Sequence, residues 1–161
     1  MKKNCFKFII AAIIISSTSF VVNSCSTDEE NINSVTPSGI ALDPNNFKGN
    51  VNNGEVVTMD PTKVYTMNGA VRVKNGGKLV IPAGTRIAAT AGAESYILVE
   101  QGGQIFVNGT AGSPVLFSSA TATEGSWGGI IICGKAPINT GTSGTSEIGS
   151  SPYGGTEEAD N

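Results

Sequence analysis

Nine carboxylates stand in the body of the chain, at Glu55, Asp60, Glu94, Glu100, Glu124, Glu147, Glu157, Glu158 and Asp160. Two of them converging across a sugar, about 5 to 9.5 Å apart, would make a glycosidase. No His occurs anywhere, which removes Ser-His and Cys-His nucleophiles, His general bases and His-containing metal sites. Ten basic side chains against thirteen acidic ones give a net charge of -3 and no basic stripe, so nucleic acid is not an expected partner. Two aromatics are candidate glycan contacts, because an exposed ring beside glycines can stack on a sugar. These are Trp127, before Gly128-Gly129, and Tyr153, in a Pro-Tyr-Gly-Gly stretch that reads as exposed. A Trp that opens an apolar strand is more often a core or corner residue, and that alternative stands beside the glycan role for Trp127.

The N-terminus carries a different chemistry. Lys2, Lys3 and Lys7 precede an apolar run from Phe8 to Ile15, followed by small and hydroxyl residues. The run is too short to span a bilayer, and the pattern is that of a secretory signal over residues 1–24. Val22-Asn23-Ser24-Cys25 then resembles the lipobox of bacterial lipoproteins, in which the Cys sulfur takes a diacylglycerol. Each buried methylene of such chains contributes about 0.8 kcal/mol, so several chains on one Cys anchor a protein firmly. Asp28, Glu29 and Glu30 directly behind Cys25 resemble the Bacteroidetes-type signal that sends lipoproteins to the outer face of the outer membrane. Cleavage before Cys25 removes three lysines and Cys5, leaving seven basic against thirteen acidic residues, a net charge of -6. Cys133 is then the one free thiol, and its place after Ile130-Ile131-Ile132 predicts a small core residue.

Residues 25–46, the lipidated Cys and a stretch rich in Asn, Ser, Pro and Asp, read as a flexible tether. From residue 47 the elements that must position any site are short runs of β-branched and aromatic residues, punctuated by Asn68-Gly69, Gly76-Gly77, Gly102-Gly103 and Asn108-Gly109. None is long enough for a helix, so the chain is all-β. Shifting the sequence by 26 positions aligns Val71 with Ile97, Val73 with Val99, Gly76-Gly77 with Gly102-Gly103, Leu79 with Ile105 and Ile81 with Val107. Turns meet turns, which is the signature of a β-solenoid with coils of about 26 residues over residues 47–138. The alternation points Val71, Val73, Leu79 and Ile81 inward and Arg72, Lys74, Lys78 and Val80 outward. It places Lys74 beside Glu100, one coil apart. The other acids do not recur at this spacing, and neither Arg72 nor Arg86 is expected to have an acid one coil away. A β-sandwich is the alternative fold, although it would not produce the self-match. Residues 139–161 read as a Gly-, Ser- and Thr-rich loop and the start of a further coil.

The run Gly69-Ala70-Val71-Arg72-Val73, Gly77 to Thr85, Val99 to Ile105, Pro114 to Ser119 and Trp127 to Ile132 resembles surface lipoproteins carrying a right-handed parallel β-helix of the pectate-lyase-like superfold. The resemblance implies that fold, further coils beyond a truncated product, and a choice between binding and lyase or hydrolase chemistry. Lyases of this superfold combine calcium-bound acids with an Arg or Lys base, and Arg72 and Arg86 are the basic residues that could serve. Glu157, Glu158 and Asp160 are the one tight acid group that could join a Ca²⁺ site, and calcium needs several oxygens together. No cofactor and no resident metal are otherwise expected. The reading that follows is a non-catalytic lipoprotein of the outer membrane, exposed at the cell surface, for adhesion or binding of an extracellular polysaccharide or host surface. The competing reading is a fragment of a β-helix polysaccharide lyase or glycoside hydrolase.

Overall fold

The computed structural model of the chain describes residues 40–157, so the signal segment, Cys25, Asp28, Glu29, Glu30, Glu158 and Asp160 lie outside the described residues. Three parallel stacks of short strands form the three faces of a right-handed parallel β-helix. The first coil holds β2 (Lys48–Val51), β3 (Val56–Thr58) and β4 (Val64–Met67). The second holds β5 (Val71–Val73), β6 (Lys78–Pro82) and β7 (Arg86–Ala89), and the third holds β8 (Gly92–Val99), β9 (Gln104–Asn108) and β10 (Leu116–Ser119). β11 (Trp127–Ile132) begins a fourth. The faces are β2-β5-β8-β11, β3-β6-β9 and β4-β7-β10, with β1 (Ile40–Ala41) added antiparallel to β2.

The coil step read from the sequence holds between β5 and β8, where Val71 pairs with Ile97, and between β6 and β9, where Lys78 pairs with Gln104. Elsewhere the step differs. It is shorter where Gly49 pairs with Val71, and longer where Arg86 pairs with Leu116 and Tyr96 with Gly129. The strands keep register because the extra length sits between the paired stretches: at 90–96, which takes in the first part of β8, at 109–115 and at 120–126.

Inside the coils, side chains of one kind stack on their counterparts. Val51, Val73 and Val99 form one ladder, all 0–1% exposed, and Met67 lies under Ala89. Arg72, Lys78 and Val80 point outward, as the alternation requires. The β1 end is closed. Ile40 and Phe47 are buried, Phe47 meets the Tyr65 ring edge-on at 5.3 Å, and its N–H donates to the Thr66 carbonyl. Pairing of the body therefore starts at Ile40, ahead of the boundary read at residue 47, because an apolar residue there seals the stack.

Gly76 and Gly102 turn one corner at φ of +75° and +79°, which only glycine adopts freely. A Cβ on either would also strike the Oδ1 of the asparagine one coil below, Asn53 or Asn75. The twin-glycine signal thus has two physical causes: backbone φ and the close stacking of the corner itself.

Candidate functional site

Two outer regions combine polar groups with aromatic or apolar surface. The first lies over β5 and β8. Residues beyond β11 leave the stack and fold back across this sheet, ending in the hairpin β12 (Gly144–Thr145) and β13 (Pro152–Tyr153). Beneath this strap Tyr96, Leu98 and Cys133 are buried as a second small core, with Ala70, Ile131, Ile148 and Tyr153 packed against them. Three contacts tie the strap down. The Arg72 guanidinium donates to the Gly149 carbonyl at 3.0 Å, and the Gln101 amide donates to the carbonyls of Gly134 and Gly154 at 2.9 and 2.7 Å. At the hairpin tip Gly149 has φ +74° and lies against Leu98 and the Tyr96 ring, so any side chain there would push the strap away.

Glu100 stands at the edge of the strap. One carboxylate oxygen accepts from Lys74 Nζ at 2.7 Å and from Arg72 Nε at 3.0 Å. The Lys74 contact is the one the sequence offset predicts. The Arg72 contact corrects the expectation that Arg72 has no acid one coil away. Glu100 does not share its ladder position, but reaches back to it diagonally, a distance long side chains span. Burial pushes the Glu100 carboxyl up, but the hydrogen bonds from Lys74 and Arg72 outweigh it and hold the group below the ordinary glutamate range. A carboxylate so lowered contributes stability above its unfolded value, and that contribution disappears as pH falls through the folded value. The stability gap between the protein and Glu100→Gln should therefore be present at neutral pH, amount to about 1 kcal/mol or less for so accessible a cluster, and close in acid. Urea titrations of both proteins from pH 7 downward measure it. A gap that widens in acid contradicts the assignment.

The strap itself is testable through Cys133. Its thiol-bearing side chain is buried, the residue being 4% exposed. Gly149→Val should raise the rate of Cys133 alkylation by at least about tenfold, the expected consequence of lifting a thinly held segment, while the thermal transition of the stack moves little. Equal rates in both proteins would mean that the strap is not what protects the thiol.

The second region is the outer face of β3-β6-β9, which no described segment covers. Register puts Val56, Lys78 and Gln104 in one row across the three strands and Thr58, Val80 and Phe106 in the next. Pro82 and Asn108 begin a third. Rows are about 6.6 Å apart and strands about 4.8 Å, so the face is a flat grid. Phe106 is 42% exposed and sits between Gln104 and Asn108 on its own strand, with Lys78 one strand away. Among the described residues no carboxylate pairs with Lys78.

The two aromatics singled out from the sequence lie elsewhere. Trp127 is half-buried, packs on the main core and stacks on Phe117 with centroids 6.2 Å apart and planes 10° from parallel. Tyr153 is half-buried against the second core, its ring lying across Gly144, rather than exposed. They touch different clusters and share no platform. Phe106 escapes the sequence reading, although its signal is present: the same offset places it over outward-facing Val80. Glu94, Glu124 and Glu147 are separate and exposed, Asp60 bonds to the Thr62 hydroxyl and N–H, and Glu157 reaches Lys135 at 3.6 Å. Among the described residues no three acidic or cysteine side chains gather as a metal site.

Compared with known families, residues 49–161 match the pectate-lyase-like β-helix domain. No curated protein and no solved structure matches the chain.

Proposed function

The chain belongs to the pectate-lyase-like β-helix domain family, and from that premise we propose that it is a non-catalytic surface lipoprotein that binds an extracellular polysaccharide along the open face of β3-β6-β9. The observation that carries the reading is Phe106, an exposed ring flanked by amides and a lysine on a flat, regular face. A sugar stacks on the ring through its C–H face while Gln104, Asn108 and Lys78 meet its hydroxyl or acidic groups. An extended flat face suits an extended polymer, because successive coils continue the grid along the stack while Phe106 marks one sugar position on it. Support from the other side comes from Glu100 and Arg72: both are engaged with each other, Arg72 also holds the strap, and neither is free to move a proton on a sugar.

The anchor in this reading is lipid on Cys25, with Asp28, Glu29 and Glu30 as the export signal to the outer face of the outer membrane. Labelled fatty acid should enter the protein in cells and be absent from Cys25→Ala. For the face itself, retention on immobilised polysaccharides is the direct experiment. Phe106→Ala should abolish retention, about a tenfold or greater loss for one stacking aromatic, with unchanged melting because the ring is half outside the core. Retention unaffected by Phe106→Ala would remove the site. The second reading, a piece of a lyase or hydrolase, draws on the Arg72–Lys74–Glu100 cluster and requires the strap to open over it.

A further inference from the structure

The face that carries Phe106 has a direction. The stack axis crosses the strands, and the row that runs along it through the ring is Thr58, Val80 and Phe106. On one side of this row lie Val56, Lys78 and Gln104, and on the other Pro82 and Asn108. A sugar chain laid along β9 would set its apolar C–H faces on Gln104 and Asn108 as well as on the ring. Laid along the axis, it rests those faces on Val80 and Phe106 and turns its polar edges toward the rows on either side. Val80 and Lys78 stand on the middle strand with a strand on each flank, and a further coil beyond β9 would extend this outward face without covering it.

Charge varies along the same axis. Lys78 is the one charged residue in β3, β6 and β9, and among the described residues no carboxylate pairs with it. The first coil is bracketed by acids instead. Glu55, just before Val56, accepts the Asn52 N–H at 2.6 Å. Asp60, two residues after Thr58, is held below the ordinary aspartate range by bonds from the Thr62 hydroxyl and N–H. On the third coil the groups beside the ring, Gln104 and Asn108, are neutral amides. Coils are about 4.8 Å apart, close to the length of one pyranose in an extended chain, so each coil faces about one sugar. Successive sugars along the axis therefore meet an acidic, a basic and a neutral stretch of protein.

We infer that the polymer is a flat, equatorially linked polysaccharide lying along the stack axis, with an acidic sugar over the second coil and uncharged sugars on either side of it. The inference rests on the binding role proposed above and names the class of glycan. An equatorially linked chain is a ribbon with C–H groups on its faces and hydroxyls and carboxylates on its edges, which is what an apolar stripe with polar borders can hold. With one sugar stacked on Phe106, its neighbour lies over Val80, and a carboxylate on that neighbour's edge meets Lys78. A polymer with an acid on every sugar would also bring a carboxylate to the first coil, between Glu55 and Asp60, in a protein whose net charge is already -3. Alternation of acidic and uncharged sugars avoids that repulsion and keeps the pairing with Lys78.

The test is retention of the full chain, in mild detergent, on three immobilised polymers that share equatorial linkage and differ in charge: hyaluronan, in which glucuronate alternates with N-acetylglucosamine, polymannuronate, with an acid on every sugar, and the neutral hydroxyethyl cellulose. Hyaluronan should be held best, hydroxyethyl cellulose less, and polymannuronate least. Lys78→Gln should lower hyaluronan retention by at least about twofold, the effect of one exposed charge pair, and leave hydroxyethyl cellulose unchanged. High salt should act on the unaltered protein in the same way. Gln104→Lys should raise retention of polymannuronate, because it places a second cation one coil from the first. No retention of any polymer, or retention indifferent to Phe106→Ala, would bring down the binding role and this inference with it. Phe106-dependent retention that is as strong for polymannuronate as for hyaluronan, or unmoved by Lys78→Gln, would leave the binding role standing and overturn this inference alone.

Discussion

Val99→Asp should leave no cooperatively folded protein. Val99 is 1% exposed, with Val73 one coil below it and Ile132 one coil above. An aspartate there has no cation within the ladder to pair with, and an unpaired buried charge together with the lost packing costs more than about 4 kcal/mol against a typical total of about 5 to 15 kcal/mol. The ladder supplies its own control. Ile132 occupies the same column but is 66% exposed, so Ile132→Asp should change the stability of the monomer by less than about 1 kcal/mol. Circular dichroism and urea unfolding of the two variants side by side measure the contrast. Equal effects would mean that the coils do not stack in this register.

Gly103→Ala is expected to be the next most damaging change, and for a steric reason distinct from backbone φ. A Cβ at Gly103 would come 2.6 Å from the carbonyl oxygen of Val73 and 3.1 Å from those of Lys74 and Glu100. These are backbone atoms of the corner and of the coil below, and they cannot yield without breaking the stack. A loss of about 2 to 4 kcal/mol should follow, at the upper end of overpacking effects. Gly54 is the comparison: its φ is +79°, but nothing lies within 4 Å of a Cβ there. Gly54→Ala should therefore cost only the left-handed backbone penalty of about 1 kcal/mol. If both substitutions cost the same, φ alone governs the corners.

These contrasts show what is legible in the sequence. The inward ladder of Val73 on Val99, the corner glycines and the Lys74–Glu100 pair all follow from alternation plus one offset, because strands and tight corners permit no other spacing. The offset itself is visible only where two adjacent coils are of compatible length. The shorter step into β5 carries its own self-match, Val51 on Val73, Asn53-Gly54 on Asn75-Gly76 and Val57 on Leu79, which a single offset of 26 passes over, and the longer steps into β10 and β11 are obscured because insertions between strands shift the numbering while leaving the strands in register. The strap is harder still. Its glycines, serines and threonines read as a loop, and nothing local says that Ile148 and Tyr153 cover Tyr96 and Leu98, since that pairing is a tertiary contact between segments far apart along the chain. Arg72 escapes notice as a partner of Glu100 for a related reason: ladder arithmetic counts directly stacked positions and overlooks the diagonal.

The central claim is binding without cleavage on the face that carries Phe106. It is tested most directly by incubating the full chain, with added calcium, on a panel of pectins, alginates and host glycans while following both retention and the appearance of unsaturated or reducing ends. Retention of at least one polymer with no new ends, lost in Phe106→Ala and preserved in Glu100→Gln, is the predicted result. Turnover that disappears in Glu100→Gln or Arg72→Ala would contradict it and assign the chemistry to the cluster beneath the strap.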